Sequence, residues 1–391
     1  PFWQAEGITK DGRPVDPSLW TEDRYFAEQQ KFTNTRGAAE TVTAGYVMAQ
    51  GAVGRTGFLA GVRTEKTDDE SWGWVRSRVP STTAQQLADP VGAAQRDYAA
   101  NRRELTGSYT KSFPSVHLTH DITPNLKARL AWSTSFGRPG YGELLPSESV
   151  NETASTLTIN NAALLPQNAR NWDASIDYYF EPVGNFSVGF FHKTIADYIV
   201  RNINIGTVAS GTDNGFNGEY AGYSLTTQYN GGFARVRGLE LGYNQQFTFL
   251  PGIWKGLGAF ANATWMNARG NYGAGSAISL APNPRIAGFN PFIANTGVSY
   301  IRSKVNLRAS FSYRHRYLSS FNANESRAVY FARRPVLDLK LLYNLSRAYS
   351  LYLDVNNVLM QPDRETQFGY GRPQTTHLMR PQFMFGLNGR L

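Results

Sequence analysis

The chain of 391 residues is 41% hydrophobic and 13% aromatic, and its 21 Tyr and 37 Gly suit many strands joined by turns. It lacks the apolar run of about 18 residues that a spanning helix needs, and having no cysteine it has no disulfide, thiolate nucleophile or thiolate metal site. A net charge of +9 comes without a basic run or a recognised nucleic-acid motif, so the charges are read as scattered over a lumen and loops and no nucleic-acid partner is assigned.

The opening PFWQAEGITKDGRPVDPSLW has no charged-then-apolar leader pattern and reads as the middle of a loop. It suggests a C-terminal portion of a longer protein, with 1–39 as an outer loop and 40–391 as part of a barrel. From there on, alternation of oily and polar positions predicts strands near 40–50, 56–66, 109–120, 126–136, 170–180, 186–195, 234–249, 257–268, 290–301, 304–316, 333–345, 348–358 and 377–391. In the fourth, Leu126, Ala128, Leu130 and Trp132 oppose Lys127, Arg129, Ala131 and Ser133. In the fifth, Trp172, Ala174, Ile176, Tyr178 and Phe180 oppose Asp173, Ser175, Asp177 and Tyr179. Val305, Leu307, Ala309, Phe311 and Tyr313 oppose Asn306, Arg308, Ser310, Ser312 and Arg314, and the last strand carries Phe383, Phe385, Leu387 and Leu391.

The connections also alternate. Those such as TPN, EPVGN, RS and SRA are short, whereas 67–108, 137–169, 196–233, 269–289, 317–332 and 359–376 are long. Short turns at one end and long loops at the other describe an all-β, transmembrane, antiparallel up-and-down β-barrel of the outer-membrane type, of which about thirteen strands are present. The oily face then meets lipid and the polar face lines a lumen. Trp132, Tyr178, Phe180, Trp265, Tyr300 and Tyr313 fall toward strand ends, where aromatic girdles sit.

Several stretches resemble a known family. SFPSVHLTHDITPNLKARLAWSTSFGRPGYGELLPS, NAALLPQNARNWDASIDYYFEPVGNFSVGFFHKTIADYI, RVRGLELGYNQQFTFLPGIWKGLGAFANATWMNA and LYLDVNNVLMQPDRETQFGYG are similar to strand, turn and loop units in the C-terminal barrel part of TonB-dependent outer-membrane receptors. The resemblance runs from about residue 40 to the end. It implies a barrel of 22 strands around an N-terminal plug, of which the plug, the energy-coupling box and about nine strands are not in this sequence. It further implies active uptake of a bulky scarce solute such as a siderophore, a cobalamin-like compound or an oligosaccharide, with no bond chemistry and no cofactor. The implied partners are outer-membrane lipid, the inner-membrane TonB complex, the outer-membrane assembly machinery and the ligand. Phe383, Phe385, Leu387 and Leu391 would be the assembly signal, although Leu391 stands where an aromatic is usual. The runner-up is a passive porin or structural barrel.

For the ligand, loop aromatics are the candidates, because rings stack on sugars or ligand rings while neighbouring amides form hydrogen bonds: Trp72, Trp74, Tyr141, Tyr220, Tyr223, Tyr272, Tyr317 and Tyr370. The plainer reading of these rings is girdle and loop packing. His117 and His120 point to opposite faces of one strand, which argues against joint metal ligation. The acidic run Asp68, Asp69 and Glu70 reads as a solvated outer-loop patch, and Gly369 and Gly371 lack the following helix that a phosphate cradle needs.

Overall fold

A computed structural model describes residues 16, 18, 21–181, 183–271, 285–320, 325–367 and 372–389. Helix α1 (Arg24–Thr33) leads into the hairpin of β1 (Gly37–Val53) and β2 (Thr56–Trp74). Helices α2 (Thr83–Ala88) and α3 (Pro90–Tyr98) precede β3 (Arg102–Thr123) and β4 (Leu126–Gly137). After α4 (Tyr141–Leu144), β5 (Glu148–Asn151) and β6 (Thr156–Ile159) come β7 (Gln167–Phe180) and β8 (Gly184–Ala196). Then β9 (Ile199–Thr207) and β10 (Ser224–Asn230) precede β11 (Phe233–Gln246) and β12 (Leu257–Gly270). The chain continues through β13 (Phe292–Arg302), β14 (Val305–Arg314), β15 (Tyr317–Ser320), β16 (Val329–Phe331) and β17 (Arg334–Asn344). It closes with β18 (Tyr349–Asn356), β19 (Asp363–Gln367), β20 (Pro373–His377) and β21 (Gln382–Gly389).

Thirteen of these strands form one antiparallel sheet in the order β1-β2-β3-β4-β7-β8-β11-β12-β13-β14-β17-β18-β21, so the strands that alternation predicts are the ones that build the wall. The described sheet is open, with β1 and β21 at its edges. Two small sheets, β5-β6-β10-β9 and β15-β16-β19-β20, belong to the long connections. The first hairpins reach further than expected: β2 and β3 stay in register from Thr56↔His120 to Trp74↔Arg102. The run Asp68, Asp69 and Glu70 therefore lies within a strand rather than in a loop, where period two divides it between both faces.

The register lines up one apolar face across the sheet. Leu130 stands opposite Ala174, Ala174 opposite Phe190, Phe190 opposite Leu239, and Leu239 opposite Trp265. The row continues through Val298 and Ala309 to Leu339 and Val355, and Leu353 meets Phe385 on β21. These side chains lie open: Leu130 is 47% exposed, Val298 56% and Phe385 83%. The buried hydrophobics instead lie at the long-loop end, as with Leu157 at 0% and Ile286 at 1%. An outward apolar band and a core displaced into the loops are what lipid on one side of a wall demands.

Aromatics collect at both margins of the band. Trp132 and Trp172 approach to 6.3 Å, and Trp265, Phe292 and Tyr313 follow at 5.0 and 5.9 Å, toward the long loops. Tyr178, Phe180 and Tyr243 make a second row toward the short turns, at 5.7 and 6.3 Å. The opposite face is polar. Arg129 pairs with Asp177 on neighbouring strands, Lys340 meets Asp354 at 3.1 Å, and Asn295 donates to Asn262 at 2.9 Å. At one point this face carries a ring over a glycine. Phe260 covers Gly297, where an added Cβ would meet the ring at 2.4 Å, and Arg308 lies 4.6 Å above the same ring.

Val298 and Ser299 test the two faces with the same change one residue apart. Val298→Arg on the outward band is expected to cost about 2–4 kcal/mol near the bilayer midplane, and Ser299→Arg on the inner face to be mild. Urea titration in vesicles of a longer protein that contains this chain and closes the sheet measures both; the opposite ranking would show that the faces are reversed.

Candidate functional site

The long loops enclose a cavity of about 1010 Å³, walled by α1, the β2–β3 connection, β5 with its flanks, and the segment before β10. The residues at its walls come from four separate parts of the chain, so the local structure that holds each one matters.

Helix α1 begins at an Asp23 cap that accepts from the Phe26 amide at 2.8 Å. Its ties to α3 include a hydrogen bond and a ring stack. Tyr25 donates its hydroxyl to Asp97 Oδ2 at 2.6 Å, and Phe32 stacks on Tyr98 with centroids 6.1 Å apart. Asp97 is 1% exposed, and its other oxygen accepts from the Ser81 amide at 2.7 Å and hydroxyl at 2.8 Å. A carboxylate with three donors is well paid for its burial. Burial first, and then the bond to Asp97, raises the pKa of the Tyr25 hydroxyl, and burial pushes that of Tyr98 up to about 12.

Arg76 ties the middle of the site together. Its guanidinium donates to the Tyr220 hydroxyl at 2.8 Å and lies 5.4 Å from that ring. It also stands 3.6 Å from Glu219 and 3.7 Å from Glu152. Arg78 grips Glu148 through both nitrogens and lies 5.1 Å from the Phe216 ring. Tyr223 donates to Glu152. Tyr220 is fixed from below by Leu157 and Val208, the small core under β6 and β10. Burial raises the pKa of both Glu219 and Tyr220. Arg76 Nε and Glu219 Oε2 are buried without a hydrogen-bond partner among the described residues. Tyrosine rings, carboxylates, guanidinium groups and amides facing one enclosed space suit binding of a polar solute by stacking and hydrogen bonds.

Of the expected ligand residues, the structure brings Tyr220 and Tyr223 to this cavity. Trp72 and Trp74 pack edge to face at 5.7 Å beneath Arg102, on the β2 face that alternation gives to Phe58 and Val62, and neither lines the cavity. Tyr141 opens α4 and is 56% exposed, away from the cavity lining. Tyr317 stacks on Phe331 at 5.2 Å in the β14–β17 connection. Tyr272, Tyr370, Gly369, Gly371 and Leu391 lie outside the described residues. Phe383, Phe385 and Leu387 stand on β21 opposite Val355, Leu353 and Leu351. His120 meets Thr56 at 2.9 Å on one face of β3, and period two places His117 on the other. Among the described residues no group of three or more His, Cys, Asp or Glu is placed to hold a metal. The sequence reading passed over Tyr25, Arg76, Arg78, Asp97, Glu148 and Glu219. Arg76 and Arg78 follow directly after the end of β2 at Trp74, and no local pattern marks them as part of a site.

The sequence profile described as TonB dependent receptor-like, beta-barrel matches residues 7–358. Comparison with curated protein sequences found no match. Among solved structures, the fold is similar to the ferric-catecholate import receptor Fiu from E. coli, with a TM-score of 0.61 and 14% identity over 90% of this chain and 45% of that one. It is similar to the copper transporter OprC at a TM-score of 0.62 and 16% identity, covering 90% and 48%. It is also similar to the siderophore receptor PiuA from Acinetobacter baumannii at 0.61 and 15%, covering 90% and 44%. The chain thus spans about half the length of these structures.

Arg76→Ala is expected to release the β9–β10 segment from α3 and the β2–β3 connection. Losing the bond to Tyr220 and the ion pair to Glu219 should lower the local opening free energy around 219–225 by about 1–3 kcal/mol, with amide exchange there about tenfold faster or more. Hydrogen-exchange mass spectrometry reads it, and unchanged protection would show that Arg76 is not the tie.

Proposed function

The chain belongs to the TonB dependent receptor-like β-barrel family, of the outer membrane, and on that premise we propose that it is the C-terminal barrel portion of a receptor that actively imports a bulky scarce solute. The observation that carries the reading is the family match over 7–358. The solute class is a siderophore, a cobalamin-like compound or an oligosaccharide. The outer cavity with Arg76, Tyr220 and Tyr223 is the proposed place of capture. Its volume of about 1010 Å³ is at the upper end for small-molecule sites, which supports a large ligand. No reacting group need act on the solute, so the work is binding and release. Force would come from the inner-membrane TonB complex, acting on a plug supplied by the rest of the receptor. A passive porin is not favoured, because the match is to a receptor barrel.

Energy dependence separates the two readings. Cells carrying the complete receptor should accumulate its solute, and a protonophore should abolish accumulation while leaving surface binding intact. Uptake that persists at full rate in de-energised cells would identify a passive pore.

The open sheet bears on how the wall is completed. Unpaired amide and carbonyl groups facing hydrocarbon cost several kcal/mol each, so β1 and β21 need partner strands in the bilayer. We propose that about nine further strands of the same receptor supply them. Residues 1–391 expressed alone should not yield a heat-modifiable, protease-resistant species in an outer membrane, whereas the complete receptor should. A stable, ligand-importing barrel made from 1–391 alone would overturn this.

A further inference from the structure

In the connection from β9 to β10 the chain folds around one side chain, that of Asn214. Its Nδ2 donates to the carbonyls of Ala209 and Glu219, at 3.0 and 2.9 Å, and its Oδ1 accepts from the amides of Phe216 and Gly218, at 2.9 and 3.0 Å. Two donors and two acceptors are all that a side-chain amide has, and all four are used. The reverse orientation would set oxygen against oxygen on one side and N–H against N–H on the other, so the network admits one placement of the amide. The chain turns this tightly because Gly215 and Gly218 take φ of 84° and 85°. Asn214 is half-buried and does not itself reach the wall of the loop cavity.

What it holds does reach that wall. The carbonyl of Glu219 belongs to the same peptide unit as the Tyr220 amide, so a bond that pins this carbonyl also pins the plane from which φ of Tyr220 is measured. Tyr220 lies at a φ of 58°, in the left-handed region, where a bulky aromatic residue is an outlier that persists only when its surroundings over-determine it. From this backbone its ring seats on Leu157 and Val208, meets Phe216 edge to face at 5.5 Å, and presents its hydroxyl to Arg76 at 2.8 Å. Phe216, which backs the ring, is itself bonded to Asn214 through its amide.

We propose that Asn214 is the positioning residue of the loop cavity: by holding the peptide between Glu219 and Tyr220, its amide keeps Tyr220 in the left-handed conformation that turns ring and hydroxyl to the cavity. The consequence for capture rests on the reading of that cavity as the place where the solute binds. The positioning itself does not, and its test uses no solute, so it can fail while energy-dependent accumulation stands, and the reverse.

The complete receptor in detergent is treated with tetranitromethane, and nitration of each tyrosine is followed by peptide mass spectrometry. Tyr220 is 6% exposed, and N214A is expected to raise its nitration rate about tenfold or more, while Tyr25 and Tyr98, on α1 and α3 across the cavity, keep their wild-type rates. An equal rise at all three, or no rise at Tyr220, would overturn the proposal. N214D separates hydrogen bonding from shape. At about pH 7 a carboxylate of the same size faces the carbonyls of Ala209 and Glu219 with no proton to donate, and amide exchange across 215–222 should be about tenfold faster than in the wild type. Two facing carbonyls raise the pKa of that carboxyl above its unfolded value, so protection should return toward that of the wild type as the pH falls to about 4, where the protonated group donates again, and be lost as the pH rises. Asp213, Glu148, Glu152 and Glu219 are the other carboxyl groups near this turn, with Arg76 and Arg78 beside them, so each pH is read as the ratio of variant to wild type. A ratio that does not change with pH would overturn the proposal, since shape alone would then account for the turn. Heat-modifiable migration checks assembly, and N214D serves for the nitration measurement should N214A fail to assemble.

Discussion

In hydrocarbon a backbone amide or carbonyl has no water to turn to, and every other feature of this wall follows from that constraint. A strand can cross only if its neighbours take up both of its edges. The register from β2 to β18 does so for the eleven strands that lie between the two edge strands of the thirteen-stranded sheet. Once the ladder fixes the backbone, period two decides which side chains meet lipid. A single-residue slip would carry Leu307, Ala309 and Phe311 inward and Arg308, Ser310 and Ser312 into the bilayer. The polar inner pairs, Arg129 with Asp177 and Lys340 with Asp354, reinforce that choice of register more than they add stability, because exposed ion pairs contribute little.

The same constraint explains where packing occurs. With lipid on one side and a lumen on the other, the wall has no interior of its own, and the residues that exclude all solvent lie above it. One such core joins Val200 and Ile203 to Ala234, Val236, Ala268 and Ile286, and so seats a loop sheet on the tops of β11 and β12. Another holds Tyr220 over Leu157 and Val208. The cavity thus rests on packed supports rather than on loose loops, and the polar ties of Arg76, Arg78 and Asp97 close it between elements far apart in sequence.

The wall was legible because its signal is local and repeated: two-residue alternation in one strand predicts the same alternation in the next. The length of β2 and β3 was less so. Beyond Lys66 the residues are acidic and polar on both faces, and hydrophobicity no longer distinguishes a strand in water from a loop. The loop sheets were missed for a related reason. In β9 the run Ile199, Val200, Arg201, Asn202 has no clean period, and Asn202 takes a positive φ of 51°. The lining of the cavity was legible only in part. Counting aromatics found Tyr220 and Tyr223, but it also selected Trp72 and Trp74, which spend their rings on each other and on Arg102. No local pattern could pair Tyr25 with Asp97, since only the folded loops bring them together.

The core beneath Tyr220 is built wholly from residues of the loops, whereas the wall is held by backbone bonds that are indifferent to side-chain identity beyond polarity. The two parts therefore depend on different features of the sequence. Substitution in the segments around β5 and β6 and before β10 changes the lining of the cavity while the ladder bonds of the wall stay in place. In a chain divided in this way the cavity lining can vary while the wall asks only for alternating hydropathy, which fits a shared fold at 14–16% identity.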